Sequence, residues 1–342
     1  MYKNILVINL AFIGDIVLAI PAVRALHETF PDARITMLTV PLTESIARMN
    51  PYLDDVLIYD KKGRDKGILG MLRMARRLRE RRFDLAVCMN FAPRGAAVAW
   101  LARIPSRFGY DAQHGGFFLT KTAPADRSQP KHEVHNQLDF LRTFDITTCD
   151  TSLALHIPAQ IEHSFREKSK PLGLADRGYL VLCPCGRVLR RSLGAETTAA
   201  LIHDFSKTEG ARPVYLIGSA QDRSFLMRIA QRAALDEHHV LAGTFSLPEI
   251  AVLLRDADVL VSVDTGPAHI AQAVHCPVVE IFSTGDPRIW GPRGVHDVVL
   301  VEPRDPATGA LPATECIESI AEERILTAVQ DILRKTAHEK KR

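Results

Sequence analysis

No apolar run in the 342-residue sequence reaches the ~18–20 residues that span a bilayer as a helix. The N-terminal "MYKNILVINLAF" breaks into Gly-Asp, and no small-residue cleavage site follows, so neither a membrane anchor nor a signal peptide is expected. The six cysteines are scattered, which points to reduced cytosolic thiols rather than a disulfide framework. Cys183 and Cys185 form a C-x-C without a second pair at zinc spacing. A net charge of +3 is too small to argue for nucleic acid, and 24% charged residues is ordinary for a globular chain. The length suits two domains of about 150 residues each.

What is present is an alternation. "NILVINL", "ARITMLTV", "VLIYD" and "DLAVCMN" read as buried strands, each followed by a helical segment such as "IPAVRALHETF" or "GAAVAWLARI". Unbroken apolar runs are what parallel strands covered on both faces require. The pattern pauses between about Asp111 and Ala175 and restarts with "YLVLCPC", "RPVYLIG", "VLVSVD" and "PVVEIFS". The expectation is an α/β chain of two Rossmann-like, doubly wound parallel-sheet domains facing a central cleft. The expected domains cover residues 1–170 and 176–318, with a closing helix over 319–335 and a frayed basic tail after it.

Two turns carry the chemistry. In "VLVSVDTGPAHIAQAV" a strand ends at Asp264, a Thr-Gly-Pro turn follows, and a helix begins near Ala268. The first-turn N–H groups of a helix lack intrahelical partners and sit at its positive end. Gly266 lets a phosphate approach the backbone, Thr265 adds a hydroxyl and His269 stands close behind, so the turn suits a diphosphate. The alternative is a capped strand–helix junction with His269 as a packing residue. The other turn, "LAFIGDIV", has one glycine where a dinucleotide fingerprint needs about three. Asp15 would repel a phosphate there. It suits a general base, or it caps the following helix.

Arg187, Arg190 and Arg191, in "CGRVLRRSLGAE", either reach leaving phosphates or form a solvated basic loop. The basic run from Lys61 to Arg82 holds ten Lys/Arg against two acids. Ile68, Leu69, Leu72, Ala75 and Leu78 fall at helical spacing, so one face packs and the other is cationic. That cationic face is either solvated or attracted to anionic lipid. Three patterns are set aside. "HEVHN" is one residue short of a zinc motif, "DAD" at Asp256–Asp258 precedes its strand, and His27 is a lone surface residue.

Together "ILVINLAFIGDIVLAIPAVRALHETFP", "HEVHNQLDFL", "LIGSAQDRSFLMRIA" and "FSLPEIAVLLRDADVLVSVDTGPAHIAQAVHCPVVEIFSTGDPRIWGP" resemble the glycosyltransferase family 9 heptosyltransferases. "NFAPRGAAVAWLARIP" is similar to the heptosyltransferase II branch. The resemblance implies a GT-B fold and an inverting transfer of heptose from ADP-heptose to a lipid-linked lipopolysaccharide core acceptor. It implies no metal and no bound cofactor, a cytoplasmic chain at the inner membrane face, and no role for nucleic acid. It places the catalytic acid on Asp15 and donor contacts on Arg191, Asp222, Phe245, Asp264, Thr265, Gly266 and His269. Acceptor contacts fall on Asn90 and Arg94, and the closing helix is expected to pack back on the first domain. Where the family has K-R-W this chain has Arg191-Ser192-Leu193, so another nucleotide-sugar, an epimerisation or a non-catalytic binding module stay open.

Overall fold

The computed structural model describes residues 2–207 and 211–339, and the chain divides into two compact units, residues 1–156 and 157–342. The last residues of the basic tail, 340–342, lie outside the described residues. The rest of that tail is no frayed end, because the closing helix, Glu322–Glu339, runs through it.

The first unit holds six parallel strands: β1 (Asn4–Ile8), β2 (Arg34–Thr39), β3 (Asp55–Ile58), β4 (Leu85–Cys88), β5 (Ser106–Asp111) and β6 (Lys121–Pro124). Their order is β3-β2-β1-β4-β5-β6. This is the order of a dinucleotide-binding sheet, and it reverses between β1 and β4. Ile5, Leu6, Val7 and Ile8 are all buried, as a strand covered on both faces demands. Each such side chain contributes roughly 1.5–3 kcal/mol on leaving water. β5 ends where the sequence pattern pauses and β6 lies within the pause, a mostly exposed strand at the sheet edge.

The second unit holds β7 (Leu180–Cys183), β8 (Val214–Leu216), β9 (Val259–Val263), β10 (Val278–Phe282) and β11 (Val298–Val301), in the order β11-β10-β9-β7-β8. Here the reversal lies between β7 and β9. The closing helix buries Ile325, Val329 and Ile332 in the core of this unit, against Leu201, Val261 and Ile281.

The units divide at His156, earlier than the sequence suggests. The helix Ala159–Ser169 packs on the helix Leu247–Asp256 of the second unit and is tied to it by charge. Lys168 donates to the Glu249 carboxylate at 2.9 Å, Arg166 pairs with Asp256, and Arg255 pairs with Glu162. Burial opposes the charge on Glu249, but Lys168, the Ser246 N–H and Ser164 hold its carboxyl down to about 2. The residues of "DAD" are thereby structural: Asp256 pairs with Arg166, and Asp258 accepts from Arg212 at 2.6 Å.

Candidate active site

In an open α/β sheet the crevice beyond the carboxyl ends of the strands, where strand order reverses, is the ligand position. Each unit has such a point, and both turns singled out above lie on one.

In the first unit the chain leaves β1 at Ile8 and enters the helix Ile13–Leu18. Asp15 is the third residue of that helix, and Phe12 rather than Asp15 occupies the cap position. The Asp15 Oδ2 accepts the Phe12 N–H at 3.1 Å, so the side chain reaches back over the turn. Burial raises the Asp15 carboxyl above its ordinary value; the Phe12 N–H opposes that, Glu133 adds to it and Arg127 subtracts. A half-buried carboxylate with a raised pKa is a better proton acceptor than an exposed one.

The turn is held from β4. The Asn90 Oδ1 accepts the Leu10 N–H at 2.7 Å and its Nδ2 donates to Asn9 Oδ1 at 3.1 Å. Asn9 Nδ2 in turn donates to the Asp15 carbonyl at 3.2 Å. Arg94 opens the next helix, exposed, and donates to the Tyr59 hydroxyl at 3.3 Å. Lys61 donates to the Leu10 carbonyl at 2.8 Å; burial, then Arg94 and Lys62, lower its pKa. Lys61 therefore belongs to the Asp15 turn, although it comes from the basic run. Glu133, buried in "HEVHN", pairs with Arg127 and accepts from Gln137 at 3.1 Å, while His132 caps its helix. A cavity of about 240 Å³ beside Arg127 is walled by Tyr110, Lys131, Asn136 and Phe140. Lys61, Arg127 and Glu133 carry no local signal that would mark them as neighbours of Asp15.

In the second unit Asp264 follows β9, and Thr265 stands at the cap of the helix Gly266–Ala273 with extended backbone. No side chain caps this helix. The Thr265 hydroxyl turns back instead, donating to the Val263 carbonyl at 3.2 Å. The positive helix end is thus left to backbone N–H groups, the arrangement that binds anions. Asp264 is paired with Arg191, which comes from the short turn Leu189–Arg191 after β7. Burial raises the Asp264 carboxyl while Arg191 pulls it down. Gly285 packs against this carboxylate: a Cβ there would meet Asp264 Oδ2 at 2.4 Å and force it to shift.

The three arginines of that loop separate. Arg187 is exposed. Arg190 is structural: it pairs with the buried Glu302 at 2.9 Å and donates to the Pro312 carbonyl at 3.1 Å. Arg191 reaches the turn. Ser192 accepts the Gly186 N–H at 2.9 Å and Leu193 joins the core, so both are part of the scaffold. Asp222, after β8, accepts the Ser219 N–H at 2.8 Å and its hydroxyl at 2.6 Å, closing its own turn. Phe245 is buried, its ring packed against Phe165 with centroids 5.0 Å apart.

His269 is buried on the same helix. Among the described residues one group brings three potential metal-ligand atoms within 4.8 Å of one another: Asp264, His269 and Glu280. These side-chain types hold divalent cations, but Arg191 already occupies the Asp264 carboxylate. In the C-x-C, burial pushes the Cys183 thiol up to about 11 and raises that of Cys185 further.

The model of glycosyltransferase family 9, the heptosyltransferases, matches residues 71–314. Lipopolysaccharide heptosyltransferase 3 of Escherichia coli strain K12 is 28% identical over 291 residues, 82% of each chain. Among solved structures, the family 9 glycosyl transferase of Veillonella parvula superposes with a TM-score of 0.85 at 22% identity, covering 98% of both chains. The ADP-heptose lps heptosyltransferase II of E. coli superposes at 0.80 and 20% identity, over 98% of this chain and 100% of that one. A heptosyltransferase 3 by sequence and a heptosyltransferase II by fold share the family but not the branch. Two parallel-sheet units of this topology are the GT-B fold, and this chain belongs to glycosyltransferase family 9, the heptosyltransferases.

Proposed function

We propose that the chain transfers heptose from ADP-heptose to a sugar hydroxyl of a lipid-linked lipopolysaccharide inner-core acceptor, with inversion and without a metal. Family membership supplies the coarser statement, a heptosyl transfer in lipopolysaccharide synthesis. The observation that carries the finer one is Asp15: a half-buried carboxyl of raised pKa at the strand-order reversal, bonded to a backbone N–H.

In this reading the acceptor oxygen attacks the anomeric carbon as its proton passes to Asp15. The bond from that carbon to the diphosphate oxygen breaks, and ADP leaves with the electron pair. The backbone N–H groups at Thr265 and Gly266 and the cation of Arg191 stabilise the charge on the leaving diphosphate, with His269 beside them. Arg191 has a second task, which is to neutralise Asp264 so that its carboxylate does not repel the phosphates. Asp222 and the backbone at Phe245 contact the nucleoside. On the acceptor side Lys61 and Arg94 present positive charge, and Asn90 holds the turn that carries Asp15.

A lipid-linked acceptor calls for contact with the membrane. No helix among the described residues is long and apolar enough to cross one. The helix Gly67–Glu80 packs through Met74, Ala75 and Leu78, so Ile68, Leu69 and Leu72, expected on its packed face, are exposed. Ile68 is 72% and Leu69 73% exposed, between Lys66 and Arg73. Apolar side chains ringed by cations suit the headgroup region of an anionic inner leaflet.

Calorimetry with ADP-, GDP- and UDP-sugars, followed by transfer assays on a core acceptor with and without EDTA, tests the reading. ADP-heptose is expected to bind best, and EDTA to leave transfer unchanged within about twofold, because fixed N–H groups and Arg191 provide the stabilisation. Tight binding of a nucleotide-sugar with no transfer to any core acceptor would instead support a binding module.

A further inference from the structure

Glu280 occupies the middle of β10, between β9 and β11, and is 0% exposed. Its register neighbours are Ser262 and Val299. Val279 and Ile281 belong to the core cluster on one face of the sheet, so alternation turns Glu280 to the other. There a carboxylate oxygen of Glu280 lies within 4.8 Å of a ring nitrogen of His269 and of an oxygen of Asp264. Neither Glu280 oxygen has a hydrogen-bond partner among the described residues. Burial, with Asp264 and Asp297 adding to it, raises its carboxyl well above the ordinary value, which favours the neutral acid. Asp297 itself is engaged elsewhere, accepting the Val278 N–H at 2.9 Å and the Gly294 N–H at 2.6 Å.

For folding alone this residue is a poor choice. A buried polar group without a partner costs stability, and an apolar side chain of similar shape fits the run "VVEIF" better. Groups that break a local rule in this way are retained where function needs them. The nearest candidate for such a need is His269. The hydrogen bond made by one imidazole nitrogen decides which tautomer and orientation the other presents. Hydrogen bonds at reacting sites are commonly long in the unliganded state and tighten in the complex.

We propose that Glu280 is a positioning residue for the donor-phosphate turn: its buried carboxyl holds the His269 imidazole so that the ring presents N–H to the diphosphate. The proposal rests on the reading of the Thr265-Gly266 turn as a diphosphate site.

Three variants of the full chain test it, with ADP as the probe in calorimetry and thermal melting alongside. Glu280→Met is expected to raise the melting temperature and to weaken ADP about tenfold. Glu280→Gln keeps a polar end of the same size and is expected to stay within about threefold of the parent. Glu280→Met combined with His269→Asn is expected to bind ADP no more weakly than His269→Asn alone, because the two act through one contact. Parental ADP affinity in Glu280→Met while His269→Asn weakens binding overturns the proposal. So do additive losses in the double variant, or a fall in melting temperature that accompanies weaker binding. If His269→Asn itself binds ADP like the parent, it is the diphosphate reading of the turn that fails.

Discussion

Asp15 and Asp264 occupy equivalent places, each beyond the carboxyl end of a strand beside the order reversal of a parallel sheet. Burial raises both carboxyls. They differ in what answers that burial. Asp264 faces the guanidinium of Arg191, so its charge is cancelled where an anion is to bind. Asp15 is met by backbone N–H groups, that of Phe12 and then its own, with the Arg127 cation acting more weakly than Glu133. In the proposed mechanism Asp264 is silenced and Asp15 takes the proton, so the charge beside each strand end sets its role.

Arg191→Met would leave Asp264, like Asp15, without a paired cation. ADP affinity should fall roughly a hundredfold, within the ~2–5 kcal/mol that losing one member of a desolvated charge pair costs. Calorimetry reads it directly. The pH dependence of transfer sharpens the other side. A base works ionised, so activity is full above the folded pKa of Asp15 and falls about tenfold per pH unit below it. Because that pKa is raised, the acid limb of the pH–rate profile should lie above ~3.9, the ordinary value for an aspartate. The proposed membrane contact lies on the first unit. Leu69→Glu should weaken co-sedimentation with vesicles containing anionic lipid by about tenfold and leave ADP binding unchanged.

Much of the fold was legible because a parallel strand buried on both faces must be apolar throughout, and "NILVINL" or "VLVSVD" can satisfy nothing else. β6, with Lys121 and Thr122 exposed at a sheet edge, has no such constraint and left no pattern. The helix Gly67–Glu80 carries two apolar stripes, and only packing decides that Met74, Ala75 and Leu78 turn inward while Ile68 and Leu69 do not. Both candidate turns could be singled out because their pattern is local: a strand, a glycine and a helix within a few residues. Their partners could not be. Arg191 stands 73 residues from Asp264, and Lys61 reaches Leu10 across 51. Glu280 hid as a single acid in a run that otherwise reads as a strand.

If the two aspartates divide the work, Asp15→Asn should separate transfer from donor binding. Transfer of heptose to a core acceptor and ADP affinity are measured on the same preparation. Transfer is expected to fall by at least about a hundredfold, the scale of a lost general base, with ADP affinity unchanged within about twofold. Transfer at the parental rate in Asp15→Asn would contradict it, leaving Asp15 as no more than the residue that ties down the Phe12 N–H.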